Sequence, residues 1–263
     1  MKSIRTVILI GAGNVATHLG MALKTNGIEV LQVYSRTGKS AGALAQKLDC
    51  YCTTDINKIL PHADLYIFSV SDDALEDLLN GFIIENAFVV HTSGSLNMDI
   101  LKGRNLRYGV LYPLQTFSKK VKLSFSNIPL CIEAQDDEHL MLLMKLGRKI
   151  SRKIEHITSP QREALHIAAV FACNFTNHMF AIADEVLQKE NLSFDLLQPL
   201  LDETLRKVKT NKPADVQTGP AVREDHAIMQ KHLENLSALP AYQKIYTFIS
   251  QSILESKEKN KKS

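Results

Sequence analysis

Two rhythms of apolar and polar positions run along this chain, and one replaces the other near Ser159-Pro160. Before that point, short apolar-rich runs recur at Val7 to Ile10, Glu29 to Tyr34, Leu65 to Val70, Ala87 to Val90, Arg107 to Tyr112 and Ile128 to Glu133. A last short one spans Lys153 to Ile157. Runs of this length suit strands, and the unbroken ones suit strands buried on both faces. Between them apolar residues fall at helical spacing, first with Val15, Leu19, Ala22 and Leu23 on one face, then over Ser40 to Leu48, Ala74 to Leu79 and Glu138 to Ile150. Cys50 to Thr53 reads as a brief extra strand and Asp55 to Leu60 as a short helix. The alternation predicts an α/β fold with a doubly wound sheet over residues 1–158.

No strand pattern follows Pro160, so residues 159–263 are expected to form an all-α domain. From Gln161 the pattern is helical for about 30 residues, and Leu165 to Leu187 is apolar on nearly every face, as in a helix buried all round. A domain of this size has little else to bury it with. Cover by a second copy of the chain is therefore expected, a homodimer being the commonest oligomer. The polar exceptions are His166, Asn174, Asn177 and His178. At about 100° per residue they share about one third of the helix circumference. An unpaired buried polar group costs about 1–3 kcal/mol, so these either pair with neighbouring helices or face a wet cleft. Phe194 to Val208 predicts a second helix, Pro213 to Gly219 a loop, and Ala221 onward a third helix with Arg223, Asp225 and His226 in its first turns. Tyr242 to Leu254 predicts a last helix, and Glu255 to Ser263 a solvated, frayed, Lys-rich tail.

The chemistry begins where the first strand ends. Gly11-Ala-Gly13-Asn14-Val15-Ala16 follows that strand and opens the first helix. Two glycines allow a tight turn, and Ala16 is a small enough residue for close helix–strand packing at the third position. Such a turn aims backbone N–H groups and the positive end of the helix dipole at a diphosphate, the Rossmann arrangement. The second strand ends in Ser35-Arg36-Thr37, about 20 residues beyond the turn, where NAD-binding chains place an acid on the ribose. No acid is present; a guanidinium between two hydroxyls suits a 2′-phosphate, so NADP is the expected cofactor. Ser69, Val70, Ser71, Thr92, Ser93 and Gly94 stand at later strand ends and are candidates to line the ribose and nicotinamide. Small hydroxylated residues there serve equally as helix caps.

Composition narrows the picture. Among 263 residues, 45% are hydrophobic, enough for a full core, and the formal charge of +3 is too small to argue for nucleic acid. Cys50, Cys52, Cys131 and Cys173 match no metal spacing, and packing is the expected role of each. The first strand lies too near Met1 for a signal peptide, and no unbroken run of about 18 apolar residues occurs. A cytoplasmic chain with no membrane span and no metal is expected.

The glycine turn, the strand end His91-Thr-Ser-Gly-Ser, the helix His166-x7-Asn174-Phe-x-Asn177-His178 and the loop Thr218-Gly-Pro-x-x-Arg223-x-Asp225 together resemble one family. It comprises bacterial Rossmann-like proteins with an uncharacterised helical C-terminal domain, which carry the label of NADP oxidoreductases. More distantly the chain is similar to pyrroline-5-carboxylate reductases and β-hydroxyacid dehydrogenases. The resemblance implies an NADP-binding dimer with a C-terminal domain like that of 6-phosphogluconate dehydrogenase. The catalytic Lys of the β-hydroxyacid dehydrogenases has no counterpart in the Leu165 to His178 helix. The expected activity is hydride transfer between NADPH and a small polar carbonyl, hydroxyl or imine; the alternative is an NADP(H)-binding sensor or scaffold. His166 is the first choice of proton donor, because imidazole changes charge near neutral pH. His178 and Asp225 come next, Asn174 and Asn177 would orient the substrate, and Arg223 would hold an acidic group on it.

Overall fold

The computed structural model of the chain describes residues 3–262, with side chains as far as residue 259. By contact the chain falls into two compact units, Met1–Asn174 and Phe175–Ser263.

The first unit is built on one sheet of eight strands: β1 (Thr6–Ile10), β2 (Glu29–Tyr34), β3 (Tyr51–Thr53), β4 (Leu65–Phe68), β5 (Phe88–His91), β6 (Arg107–Pro113), β7 (Leu130–Ala134) and β8 (Ile154–His156). Their order is β3-β2-β1-β4-β5-β6-β7-β8. Every neighbouring pair is parallel except β6 and β7. A parallel neighbour needs a crossover, usually a helix. The connection from Leu114 to Pro129 holds only a short helical turn, Phe125–Asn127, so the chain doubles back on the adjacent strand.

Helices α1 (Asn14–Thr25), α2 (Gly38–Leu48), α3 (Asp72–Asn80) and α4 (Asp137–Ile150) cover the sheet. Ala16, Leu19 and Leu23 of α1, Leu44 and Leu48 of α2 and Leu143, Leu146 and Ile150 of α4 fill one layer against Val7 and Leu9. Leu75 and Leu79 of α3 fill the other with Ile8, Ile10, Tyr66 and Phe68. Val7 to Ile10 are wholly buried, as an unbroken apolar strand between two layers must be.

Helix α5 (Ser159–Ala169) follows β8 and is bound to the sheet by a buried knot. Arg162, 1% exposed, donates through Nη1 to Glu133 Oε2 on β7 at 2.6 Å and through Nη2 to the Leu96 carbonyl at 2.6 Å. Ser159 completes it, donating its N–H and its hydroxyl to the same carboxylate at 2.9 and 2.7 Å. The helical path then widens into a π-helical stretch, Val170–Phe175, and continues as α6 (Thr176–Lys189). A π-helix closes i to i+5 bonds, so the 100° bookkeeping that grouped His166 with Asn174, Asn177 and His178 does not hold through this stretch.

The remaining helices of the second unit are α7 (Gln198–Thr210), α8 (His226–Asn235) and α9 (Pro240–Lys262), with short helical turns at Phe194–Leu197 and Pro213–Val216. Helix α8 starts later than the expected Ala221. Glu224 sits at φ +60°, a left-handed value that breaks a helix, and Asp225 caps the next one by accepting from the Ile228 N–H at 3.2 Å. The expected frayed tail is instead helical as far as Lys262, with Lys257 paired to Glu224 at 2.6 Å; Ser263 lies outside the described residues.

Within the single chain the long apolar helix is partly exposed, which leaves a face for the expected second copy without showing one. Ile167, Phe171 and Phe175 are 53%, 64% and 50% exposed. The expectation of no spanning helix does not hold on length and composition: Ser159–Lys189 contains an 18-residue stretch of mean hydropathy 1.3 in which no residue is buried. Uncharged Asn, His and Thr interrupt the apolar run without lowering its average below that level. Cys50 is half-buried and Cys131 buried, whereas Cys52 and Cys173 are exposed, which leaves those two without a packing role.

The Arg162 knot yields a prediction. Arg162→Ala strands the Glu133 carboxylate and is expected to lower the unfolding free energy by about 3–5 kcal/mol. Urea denaturation measures it; a loss under about 1 kcal/mol would mean that the pair is solvated rather than structural.

Candidate functional site

The C-terminal ends of β1, β2, β4, β5 and β6 open into one crevice of about 690 Å³. Gly11, Gly13, Asn14, Val15, Ser35, Arg36, Thr37, Ser69, Val70, Ser71, Thr92, Ser93, Gly94 and His166 all line it. Ala16 does not: it is fully buried in the layer between α1 and the sheet, the place its small size suits.

Gly11 is required for two reasons. Its φ is +119°, and a Cβ there would lie 2.2 Å from the Ser69 carbonyl oxygen. Backbone thus packs directly on the end of β4. At Gly13, φ is −76° and an added Cβ would meet nothing within 4 Å. Gly13 is also the N-cap of α1 and offers no capping side chain, and the first turn of α1 holds no acid. Its amides are therefore left to an outside acceptor. By contrast α3, on the neighbouring strand end, begins with Asp72 and Asp73, which answer its own dipole. An anion is directed to the first helix and away from the second.

At the end of β2, Arg36 is exposed and, among the described residues, makes no ion pair with a carboxylate. Thr37 caps α2, accepting from the Ser40 N–H at 3.4 Å. Ser69 and Thr92 share a buried hydroxyl pair at 2.9 Å. Ser93 acts as a turn cap, its hydroxyl accepting from the N–H groups of Ser95 and Leu96 at 3.1 and 3.0 Å. The Ser95 hydroxyl donates to Asp72.

At the β5–β6 end of the crevice, the Tyr112 hydroxyl and His166 Nδ1 lie 3.2 Å apart. Gly94 makes this meeting possible: a Cβ there would lie 2.7 Å from His166 Nδ1 and 2.9 Å from Tyr112 Cζ. Burial holds the Tyr112 phenol above its ordinary range, with Cys131 adding to the rise and Arg162 opposing it, so the hydroxyl stays protonated. His91, in the motif just before, is 1% exposed; burial first, and then Arg162, push it down to about 4. It is neutral at ordinary pH, which disfavours it as a proton carrier there.

Asn174 ends the first unit and is exposed. Asn177, His178, Arg223 and Asp225 belong to the second, where Asn177, His178 and Arg223 are exposed and Asp225 is engaged as the α8 cap. That unit has its own cavity of about 930 Å³, largely apolar, lined by residues such as Met179, Ile182, Leu236 and Ile249. It is the larger of the two, and in its lining His232 and Tyr246 are hydrogen-bonded to each other at 2.9 Å. Of the six catalytic candidates, His166 alone lines the other crevice, beside the cofactor-binding candidates.

Three residues escaped the sequence reading. Tyr112 appeared there only as the end of a strand. Lys119 also lines the crevice, its Nζ 2.6 Å from the Ala12 carbonyl. Arg162 holds the helix that carries His166. The one available signal was position, since Tyr112 and Lys119 stand at and just after a strand end on the crevice side.

The two glycines should separate in experiment. Gly11→Ala forces strained backbone against the Ser69 carbonyl, so its melting temperature should drop by several degrees. Gly13→Ala meets no neighbour, so it should cost less melting temperature than Gly11→Ala, only the small loss of a poorer N-cap, while weakening binding of a dinucleotide such as NADPH, as read by fluorescence titration. Unchanged binding in Gly13→Ala would contradict this use of the turn.

Comparison with known proteins bears on the whole chain. Residues 2–113 match the model of a Rossmann-like domain, and residues 128–253 match that of a domain of unknown function (DUF2520). No curated protein matches. Among solved structures, a "putative NADP oxidoreductase" from Bacteroides fragilis is 45% identical with a TM-score of 0.89, covering 96% of this chain and 98% of its own. A Thermotoga maritima protein is 21% identical with a TM-score of 0.70, covering 97% and 99%. An imine reductase from Myxococcus stipitatus, solved with NADP+, is 16% identical with a TM-score of 0.66, covering 98% and 95%. These two share the fold. With the identity and coverage of the Bacteroides fragilis protein, the chain belongs to the family of Rossmann-like proteins that carry the DUF2520 domain.

Proposed function

We propose that this chain is an NADP-dependent oxidoreductase that moves a hydride between the coenzyme and a small polar carbonyl, hydroxyl or imine. The observation that carries the reading is the uncapped, acid-free N-terminus of α1 opening on a crevice that also holds Arg36 and the Tyr112–His166 pair. The 45% identity to a protein described as an NADP oxidoreductase supports it. Residues 1–158 bind the coenzyme; the segment after 158 brings His166 to the crevice, and residues 159–263 join two copies of the chain.

The α1 amides and the glycine turn hold the diphosphate. Arg36, flanked by Ser35 and Thr37, holds the 2′-phosphate. Ser69, Val70, Ser71, Thr92, Ser93 and Gly94 line the path toward the nicotinamide. When bound, NADPH supplies the hydride. His166 moves the proton to or from the substrate heteroatom, and the Tyr112 hydroxyl at its Nδ1 fixes the ring's orientation and tautomer. The apolar faces left open at Ile167, Leu196 and Leu200 are covered by the second copy.

Steady-state assays on a panel of small ketones, aldehydes and cyclic imines test the activity. At least one probe should be reduced with NADPH, and His166→Ala should lower that rate about 100-fold or more with NADPH affinity unchanged. Arg36→Ala should weaken NADPH selectively over NADH. Tight NADPH binding with no probe reduced would favour the sensor reading; full turnover in His166→Ala would remove its role. Sedimentation should give a species of twice the 29.4 kDa chain mass; a monomer at micromolar concentration would remove the second copy from the account.

A further inference from the structure

The stretch after β6, Gln115-Thr-Phe-Ser-Lys-Lys120, runs to the start of α1, about a hundred residues away in sequence. Two side-chain donors tie it there. Asn14 Nδ2 donates to the Phe117 carbonyl at 2.9 Å, and His18 Nε2 to the Ser118 carbonyl at 2.9 Å. The Phe117 ring adds a third hold, 5.3 Å from the His18 ring and 6.2 Å from Phe125. The next residue, Lys119, is thereby placed over the glycine turn, with Nζ 2.6 Å from the Ala12 carbonyl.

That carbonyl needs one donor, and an ammonium brings three together with a full charge. The tether does not need the charge, since Asn14 and His18 already fix the loop. No carboxylate among the described residues forms an ion pair with Lys119, though the crevice it lines contains Asp72. The nearest anchored group is the turn between β1 and α1, where amides without a capping partner await an anion. A cation mounted on that turn supplies the charge that backbone dipoles alone lack.

We propose that Lys119 is a diphosphate-binding residue, held over the glycine turn by the Asn14 and His18 contacts, so that the loop after β6 adds a cation to the α1 amides that hold the coenzyme's pyrophosphate. This rests on the reading that the turn binds a dinucleotide. Lys119 acts on the part common to NADPH and NADH, and Arg36 on the part that differs.

Fluorescence and calorimetric titrations with NADPH, NADH and adenosine 2′-monophosphate separate these contributions. Lys119→Gln should bind both coenzymes about tenfold more weakly and bind adenosine 2′-monophosphate, which has no diphosphate, as the parent does. Lys119→Arg should stay close to the parent, and the deficit of Lys119→Gln should shrink in high salt. Parent-like coenzyme affinity in Lys119→Gln overturns the proposal while leaving the coenzyme reading intact. Equal weakening for all three ligands also overturns it, because that pattern marks a disturbed fold. A parent chain that binds neither coenzyme overturns both.

Discussion

Backbone packed on backbone, where Gly11 meets the end of β4, is the constraint on which the rest depends. No side chain fits between that glycine and the Ser69 carbonyl. The turn is therefore pressed onto the sheet, and α1 begins directly above the strand ends. The anion-seeking end of the crevice follows from that placement. The first-turn amides face outward, Gly13 leaves space above itself, and Ala16 packs where a larger residue would lift the helix away. The acidic start of α3 sharpens the effect by making α1 the anion-seeking terminus.

A second constraint brings chemistry to the other end of the same crevice. The buried Arg162–Glu133 pair sets the start of α5 against β7, and the Leu96 carbonyl ties it to the segment after β5. One helical turn beyond Arg162 stands His166, which reaches the Tyr112 hydroxyl through the gap that Gly94 leaves open. An ion pair of this kind adds little net stability, because desolvating both partners offsets most of their attraction. What it supplies is a fixed position for a histidine carried by a helix that otherwise exposes apolar residues.

Local patterns made the sheet and the glycine turn legible. Strand ends and helix starts are written in runs of four to six residues, and Arg36 in place of an acid is a contrast visible at one position. The reversal between β6 and β7 was not legible as such, although the missing helix between them was its signal. Lys119 was hidden because its partners are about a hundred residues away and its loop has no periodicity. The π-helical stretch was hidden because fixed angular bookkeeping assumes a single bond pattern throughout. The late start of α8 was half-visible, since Asp225 three residues before Ile228 is an ordinary cap signal that the glycine and proline upstream obscured.

Isothermal titration of the purified chain with NADPH, and separately with NADH, tests the central claim most directly. The account predicts one site per chain, with NADPH bound more tightly than NADH. Absence of heat with both coenzymes, at concentrations that saturate ordinary dinucleotide sites, would contradict it.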